Sequence, residues 1–317
     1  MTPYVTDRSV QPILVVLVYR GGERFRRAME SIGPAEDLFK RIIVSITGPE
    51  DSPDMATVTD YLSQRRDSAT ASKVEVICSG VELPTMEHQR FWIDYVERTG
   101  ATPDDWIYWL AYDDQVRARG IEALLDEEGN WPLTPGTIYF GPWAMRHEKA
   151  ETPFGGPWDV PIESWTSFPV TGPTRSTVAD WICRQLRQPT YLQMSGSLAT
   201  LRSFQALRDS RPRKRGPMRI EMAMAAAPSN THVVELPEPI VIIYGRPNSD
   251  RANYAKTARR EDIHLIAWLL QYSLRHPRTL LTFAGAAAGV AASYARVLTG
   301  RGSLPAEDWV VRGVVEP

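Results

Sequence analysis

The sequence predicts an α/β fold with a mostly parallel central sheet flanked by helices, followed by a C-terminal helical extension. Two observations support the sheet. Short apolar runs recur along the first half of the chain, as in Ile13–Val18 and Trp106–Ala111, and such continuous runs are typical of buried parallel strands. Segments with helical spacing separate these runs. The strand candidates also end in polar residues, and ligands of open α/β sheets bind beyond the carboxyl ends of the strands.

The predicted elements alternate along the first 115 residues and become less regular afterwards. The early strands are Ile13–Val18, Ile42–Ile46, Val74–Cys78 and Trp106–Ala111. The early helices are Phe25–Ile32, Asp54–Arg66 and Glu87–Arg98. Later come a strand at Thr137–Phe140, a loop with Trp143, Trp158 and Trp165, helices from Ser203 and over Ile220–Ala227, and strands at Val233–Val234 and Ile240–Tyr244.

The overall composition excludes several classes of protein. The chain has 317 residues, 43% of them apolar, and a formal charge of −2 from 36 basic and 38 acidic side chains. This composition is typical of a globular protein, and the near-neutral net charge argues against electrostatic binding of nucleic acid by the whole protein. The two cysteines are too few for a disulfide scaffold or a four-cysteine zinc site. The apolar run at 13–18 is too short for a signal peptide or a membrane span, so we expect a cytoplasmic protein.

Two adjacent carboxylates carry the strongest chemical signal in the sequence. Asp113 and Asp114 directly follow the predicted strand Trp106–Ala111. Such a pair is costly unless it is neutralised, and a divalent cation held by oxygen ligands is a common solution. The alternative is that the pair caps a following helix near Gly120–Leu125. Neither a GxGxxG segment after the first strand nor a GxxxxGK[ST] segment occurs, so the usual dinucleotide and P-loop chemistries are not indicated.

The surrounding residues resemble a known family. Leu110-Ala111-Tyr112-Asp113-Asp114 resembles the Leu-Asp-x-Asp-Asp-like motif of inverting GT-A-type glycosyltransferases of the large family-2 kind. Ala111 replaces the first aspartate of that motif, and the last two match. Val15–Tyr19 resembles the family's opening strand, which ends in Tyr-Asn, with Arg20 in the place of the asparagine.

Further segments follow in the order expected of that family, and together they cover residues 12–253. Met194–Ser197 with Leu201-Arg202 resembles the Gly-Ser…Arg-Arg segment near the acceptor, and Arg219-Ile220-Glu221 falls where the family carries Glu-Asp. The family's later histidine is absent, and Pro247 or Asn248 stands near its place.

The resemblance implies a metal-dependent, inverting glycosyltransferase. Such an enzyme moves a sugar from a UDP-, GDP- or dTDP-sugar to a hydroxyl of a glycan or lipid-linked acceptor, here in bacterial surface polysaccharide biosynthesis. It implies that Asp114 binds Mn²⁺ or Mg²⁺. It also implies that Glu221 is the catalytic base. The donor-binding candidates are Tyr19, Arg20, Asp51, Arg90 and Asp113, and the acceptor-binding candidates are Trp143, Ser195 and Gly196.

Several of these assignments have a plainer alternative. Glu221 is also a normal residue for the first turn of a surface helix, where the helix dipole favours a carboxylate. Arg90 could belong to a solvated helix face. Tyr19, Arg20 and Asp51 could be ordinary loop residues, and Trp143 could be an ordinary core residue.

The predicted organisation is a GT-A domain over residues 1–255 and a helical extension over 256–317. The donor half covers about 12–115 and the acceptor half about 130–255. The uncharged segment Thr279–Ala295 has cationic flanks, so it is either a packing helix or a peripheral contact with the inner face of the cell membrane. The basic run Arg211–Arg215 predicts a mobile loop over the diphosphate, a lipid-facing patch or a solvated loop.

Two other functions remain open at this stage. A sugar-nucleotide nucleotidyltransferase also uses a metal and a similar sheet, but it needs a glycine-rich loop with a basic residue after the first strand, and Gly21-Gly22-Glu23-Arg24 is only a faint version. A non-catalytic module that binds a glycan or a partner could also keep this fold.

Overall fold

The computed structural model describes residues 10–64, 73–141, 143–147, 166–167, 174–181, 195–209, 229–237 and 239–245, and isolated positions between 270 and 288. Its first half alternates strands and helices. The strands are β1 (Ile13–Val18), β2 (Arg41–Ile46), β3 (Val74–Cys78) and β4 (Trp106–Ala111). The helices are α1 (Gly22–Ile32), α2 (Pro53–Gln64) and α3 (Thr85–Arg98), with a 3₁₀ helix at Gly33–Leu38.

The second half adds shorter elements. Its helices are α4 (Ala118–Glu122) and α5 (Leu201–Asp209). Its strands are β5 (Gln115–Val116), β6 (Thr137–Phe140), β7 (Trp143–His147), β8 (Thr166–Ser167), β9 (Thr174–Thr177), β10 (Ser197–Thr200), β11 (His232–Glu235) and β12 (Val241–Gly245).

Two sheets organise these strands. The main sheet has eight strands in the order β3-β2-β1-β4-β10-β6-β11-β9, and a second sheet has four in the order β5-β12-β7-β8. Strands β1, β2, β3 and β4 are parallel to one another. Strand β10 runs antiparallel between β4 and β6. The segment that enters β10 therefore lies at the carboxyl end of β4.

Both faces of the main sheet are buried, which explains why its strands are continuously apolar. Side chains of β1 that point to one face of the sheet, including Leu14 and Val16, pack in a cluster with Phe25 of α1. The alternate set, including Ile13, packs with Trp92 of α3 on the other face. Trp92 also meets Phe204 of α5 edge to face, with 5.3 Å between ring centroids.

The predicted α/β class and mostly parallel sheet are confirmed. Strands β1, β3, β4 and β6 have the predicted bounds. The expected loop at Trp143 is wrong, because Trp143 begins β7. Strands β9 and β10 were not predicted, because their short runs of Thr, Ser and Arg or of small residues carry little periodicity. Helix α5 begins at Leu201, two positions before the predicted start.

Several sequence predictions fall on other parts of the chain. The predicted helix at 220–227 and nearly all of the extension at 256–317 lie outside the described residues. No helix in the described part of the chain combines the length and hydropathy that crossing a bilayer requires.

Gly196, at the entry to β10, tests how tightly the two sheets pack. Its φ is +78°, and a Cβ there would lie 2.7 Å from Cβ of Val241 on β12. Gly129 is the matched control, with φ +80° and open space around its Cα. We expect Gly129→Ala to cost about 1 kcal/mol in left-handed backbone strain. Gly196→Ala should cost a further 1–3 kcal/mol, roughly, because of overpacking. Urea unfolding checks this, and equal losses in the two variants would contradict the packing.

Candidate active site

The loops that follow β1, β2 and β4 meet at one edge of the main sheet, together with the segments that leave β3 and enter β10. Backbone hydrogen bonds extend the strand pairing past the strand ends into these loops. They are Thr47 N to Val18 O (3.1 Å), Ser79 N to Ile46 O (3.0 Å), Tyr112 N to Leu17 O (2.9 Å) and Gly196 N to Trp109 O (2.8 Å). The polar residues of all five segments therefore lie along one edge.

Asp113 and Asp114 lie in a tight turn at the end of β4. The turn is closed by a bond from Asp114 N to Ala111 O, 3.1 Å. Asp114 is 5% exposed, and Asp113 is half-buried. Burial and the nearby Asp114 carboxylate raise the pKa of Tyr108, whose hydroxyl donates to the carbonyl of Ile240 at 2.7 Å. The aspartate turn is thus held between β4 and the start of β12.

The structure does not support the capping interpretation of these aspartates. Helix α4 begins at Ala118, and its N-cap position is occupied by Arg117 rather than by an aspartate. Arg117 is fixed in place because its backbone N–H donates to Ile240 O and its Nη1 to Pro239 O, both at 2.9 Å. Neither aspartate therefore holds the position from which a side chain caps α4.

The two carboxylates have the chemistry of a magnesium-type site. Mg²⁺ keeps several waters and binds proteins through one or two carboxylates together with substrate phosphates. The described residues contain no group of three or more His, Cys, Asp or Glu side chains arranged for a metal. A pair of carboxylates fits a cation shared with a substrate, and it does not fit a cation enclosed by protein.

Ser195 and Gly196 lie directly beside the aspartate turn. The Ser195 Oγ accepts the N–H of Ala111 at 3.2 Å, and Ser195 is 5% exposed. Gly196 packs under Val241, and Val241 pairs with Trp143 across β12 and β7. The structure thus brings the three acceptor-binding candidates to one region. It also gives Ser195 and Gly196 packing roles that the sequence did not indicate.

Tyr19 and Arg20 follow β1 at the same edge. Tyr19 is 40% exposed, and the Arg20 guanidinium lies 5.2 Å from the centre of its ring. Arg20 has a left-handed backbone with φ 49°. Its guanidinium binds the carboxylate of Glu82, in the segment after β3, through bonds of 2.8, 3.1 and 3.1 Å. Hydrogen bonding to Glu82 raises the pKa of Arg20.

The other two donor-binding candidates have different surroundings. Asp51 is exposed in the loop between β2 and α2. Arg90 is half-buried in the N-terminal half of α3, the helix that begins at this edge. The loop that carries Asp51 is tied to the segment after β3, because the Thr47 hydroxyl donates to Val81 O at 3.3 Å and Gly48 N donates to Ser79 Oγ at 3.3 Å.

A buried carboxylate that sequence analysis missed fixes the start of α1. The N–H groups of Gly21 and Gly22 donate to Oδ1 of Asp54, at 2.9 and 3.0 Å, and Asp54 is 4% exposed. A carboxylate is favourable there because helix N-termini carry unpaired N–H groups and partial positive charge. The glycine pair indicated backbone donors, but nothing near Asp54 in the sequence indicates that it is their acceptor.

Two buried polar side chains at the start of α3 were also missed. The Gln89 Oε1 accepts the indole N–H groups of Trp92 at 2.7 Å and Trp109 at 3.3 Å. His88 Nε2 lies 2.9 Å from Ser45 Oγ and 3.1 Å from Ser45 O. Desolvation lowers the pKa of His88 to about 4. His88 is therefore neutral at pH 7 and joins α3 to β2.

Several predicted site residues lie outside the described part of the chain. They are the proposed base Glu221, Trp158, Trp165 and the basic run Arg211–Arg215. For Trp143 the structure describes the backbone of β7.

Comparisons with known proteins give structural matches only. No protein-family model matches the sequence, and no curated protein matches it. Among solved structures, S. aureus TarS 1-349 in complex with UDP is similar at 10% identity and TM-score 0.46, over 77% of this chain and 62% of that one. A 4-diphosphocytidyl-2C-methyl-D-erythritol synthase is similar at 10% identity and TM-score 0.38, over 74% of this chain and 89% of that one. The chain thus spans less than two thirds of the TarS structure.

The buried histidine predicts a specific pH dependence of stability. The pKa of His88 is about 4 in the folded protein, against 6.5 ordinarily, so only the unfolded chain takes up this proton between these values. Stability is therefore lost as the pH falls from 6.5 towards 4. Between pH 7 and 5 we expect the wild type to lose about 2 kcal/mol more than His88→Asn in urea unfolding.

His232 provides the control for this experiment, because it is only half-buried. The His232→Gln variant should keep most of the wild-type pH dependence. An equal pH dependence in the wild type and His88→Asn would contradict the assignment of a neutral, buried His88.

Proposed function

We propose that the protein is a metal-dependent, inverting glycosyltransferase. It transfers a sugar from a nucleotide-diphosphate sugar to a hydroxyl of a glycan or glycolipid. One observation carries the proposal. The Asp113–Asp114 turn follows the last parallel strand of the donor half, and the last residue of that strand, Ala111, donates its N–H to Oγ of Ser195 (3.2 Å), in the segment that enters β10 within the acceptor half. The two predicted halves thus meet at a pair of carboxylates.

In this proposal Asp114 would hold Mn²⁺ or Mg²⁺ beside the donor diphosphate, and Asp113 would bind the donor. When bound, the cation supplies Lewis-acid stabilisation of the charge that develops on the leaving diphosphate. Burial of Asp114, which is 5% exposed, strengthens its attraction for a cation because water screens it less. The neighbouring bond to Ser195 and the anchoring of Arg117 keep the turn in one geometry.

The loops at the same edge would bind the rest of the donor. The exposed ring of Tyr19 is suited to stack on a base, and the exposed carboxylate of Asp51 is suited to accept from a ribose hydroxyl. Arg90 is the candidate on α3 for a phosphate contact. Trp143, Ser195 and Gly196 lie on the side where the acceptor would enter.

Proton transfer is assigned to Glu221. The acceptor hydroxyl is a poor nucleophile, and a carboxylate that takes its proton solves this problem. The support is the resemblance of Arg219-Ile220-Glu221 to the family's Glu-Asp segment. In-line attack by the hydroxyl oxygen on the anomeric carbon breaks the bond to the diphosphate and inverts that carbon. A lipid-linked acceptor would place this reaction at the inner face of the membrane.

The environment of α1 favours this function over nucleotidyl transfer. Backbone N–H groups at a helix N-terminus are suited to hold phosphates, and the glycine-rich loop of a nucleotidyltransferase would offer them to a nucleoside triphosphate. Here the N–H groups of Gly21 and Gly22 donate to the buried carboxylate of Asp54. That carboxylate would repel a phosphate at the same place.

Nucleotide binding tests the metal site. We expect a thermal-shift screen of UDP-, GDP-, CMP- and dTDP-sugars to show stabilisation by at least one donor, and that this stabilisation requires Mn²⁺. The Asp114→Asn variant should weaken Mn²⁺-dependent binding of that donor by about tenfold or more, because it removes a charged metal ligand.

The control is Asp104→Asn, since Asp104 forms an exposed ion pair with Arg202. Undiminished binding and turnover in Asp114→Asn would overturn the proposal, and release of pyrophosphate from a nucleoside triphosphate would replace it with nucleotidyl transfer.

The catalytic base is tested separately. Glu221→Gln should retain donor binding and reduce sugar transfer by about 10²-fold or more, the range for loss of a general base. Transfer to acceptor and titration of the donor measure the two properties. Unreduced transfer would remove Glu221 as the base and leave the metal site unaffected.

A further inference from the structure

We propose that Glu82 is an internal competitor for the donor diphosphate, occupying the Arg20 guanidinium until a phosphate replaces it. The inference rests on the proposed function, because it takes the edge described above as the nucleotide site. It adds a residue that neither the sequence motifs nor the family resemblance assigned.

The ion pair spans the edge where the donor would bind. Arg20 follows β1, Glu82 follows β3, and the sheet order β3-β2-β1 places the end of β2 between them. The pair therefore passes across the segment that begins at Thr47 and carries Asp51. A ligand that reaches from the aspartate turn to this loop has to pass close to Arg20.

The contact has the chemistry of guanidinium–phosphate recognition. Nε and Nη2 of Arg20 donate to Oε1 of Glu82 at 3.1 and 2.8 Å, and Nη2 also donates to Oε2 at 3.1 Å. A carboxylate held by two guanidinium nitrogens occupies the donors that a phosphate would use, and Arg binds both anions in the same forked geometry. Glu82 thus stands where an anionic ligand group would stand.

The exposure of the pair makes the exchange easy. The side chains of Arg20 and Glu82 are 70% and 49% exposed, and water screens such pairs so strongly that they add little to stability. By contrast, Arg41 and Glu75, which join β2 to β3, are 21% and 33% exposed. The left-handed backbone of Arg20 also indicates a ligand-binding position, because such conformations of non-glycine residues concentrate at ligand-binding sites.

Replacing Arg20 and Glu82 one at a time shows whether Glu82 competes with phosphate or whether the ion pair only holds the two loops together. If Glu82 competes with phosphate, Glu82→Gln should strengthen the binding of UDP by about threefold, the scale of an exposed ion pair. Arg20→Gln should weaken it by about tenfold, because a charge-assisted forked contact is lost. If the pair only ties two loops together, both variants should weaken binding.

The experiment is isothermal titration of UDP, inorganic pyrophosphate and uridine, with Mn²⁺, into the wild type and the variants. The control is Glu30→Gln, which makes the same charge change in the exposed pair between Arg26 and Glu30 on α1. We expect UDP and pyrophosphate to bind more tightly to Glu82→Gln and more weakly to Arg20→Gln. The binding of uridine, and the binding of all three ligands to Glu30→Gln, should not change. Weaker binding in both variants, or equal strengthening in Glu30→Gln, overturns the competition and leaves the proposed function intact. A failure of UDP to bind the wild type overturns the proposed function itself.

Discussion

The pairing of β4 determines where the aspartate turn and the segment that enters β10 lie. On one side β4 is parallel to β1, and on the other it is antiparallel to β10. The parallel side brings the carboxyl ends of β1 to β4 to one edge, and the antiparallel side brings the start of β10 to that same edge. Ligands of open α/β sheets bind beyond the carboxyl ends of the strands, at the point where the strand order reverses. The aspartate turn lies at this position because it directly follows β4.

Two buried aspartates at this edge have different surroundings. A buried carboxylate is costly unless donors or a cation compensate it. Asp54 receives two backbone N–H bonds at the start of α1, where the helix also supplies partial positive charge. Asp114 lies in the turn itself, and burial, together with the Asp114 carboxylate, raises the pKa of the neighbouring Tyr108. Asp54 therefore stabilises the start of α1, and Asp114 is the buried carboxylate of the turn that follows β4.

The regular part of the fold could be predicted because burial on both faces leaves a clear mark on the sequence. Ile13–Val18 and Trp106–Ala111 are apolar at nearly every position, and both have the predicted bounds. Ser197–Thr200 gave no such signal, although it is central to the sheet, because small and polar residues fit a strand that is covered by its neighbours. The position of the aspartate turn followed from the strand before it.

The contacts that shape the candidate site could not be predicted in the same way. Asp54 and Glu82 reach partners 33 and 62 positions away, and no periodicity or turn signal marks such pairs. Asp54 looks in the sequence like a first-turn residue of its own helix. Gly196 suggested a ligand contact, but its backbone angle and the nearness of Val241 are set by the meeting of two sheets.

In the proposed mechanism, Asp114 would hold a cation beside a nucleotide diphosphate that Asp113 helps to bind. A crystal structure of the protein with UDP and Mn²⁺ tests it most directly, since the anomalous signal of manganese locates the ion. The account predicts Mn²⁺ on the Asp114 carboxylate, sharing the diphosphate, with the base near the loops after β1 and β2. Phosphates bound instead to the N–H groups of Gly21 and Gly22, with Asp54 displaced, or Mn²⁺ located away from the aspartate turn, would contradict it.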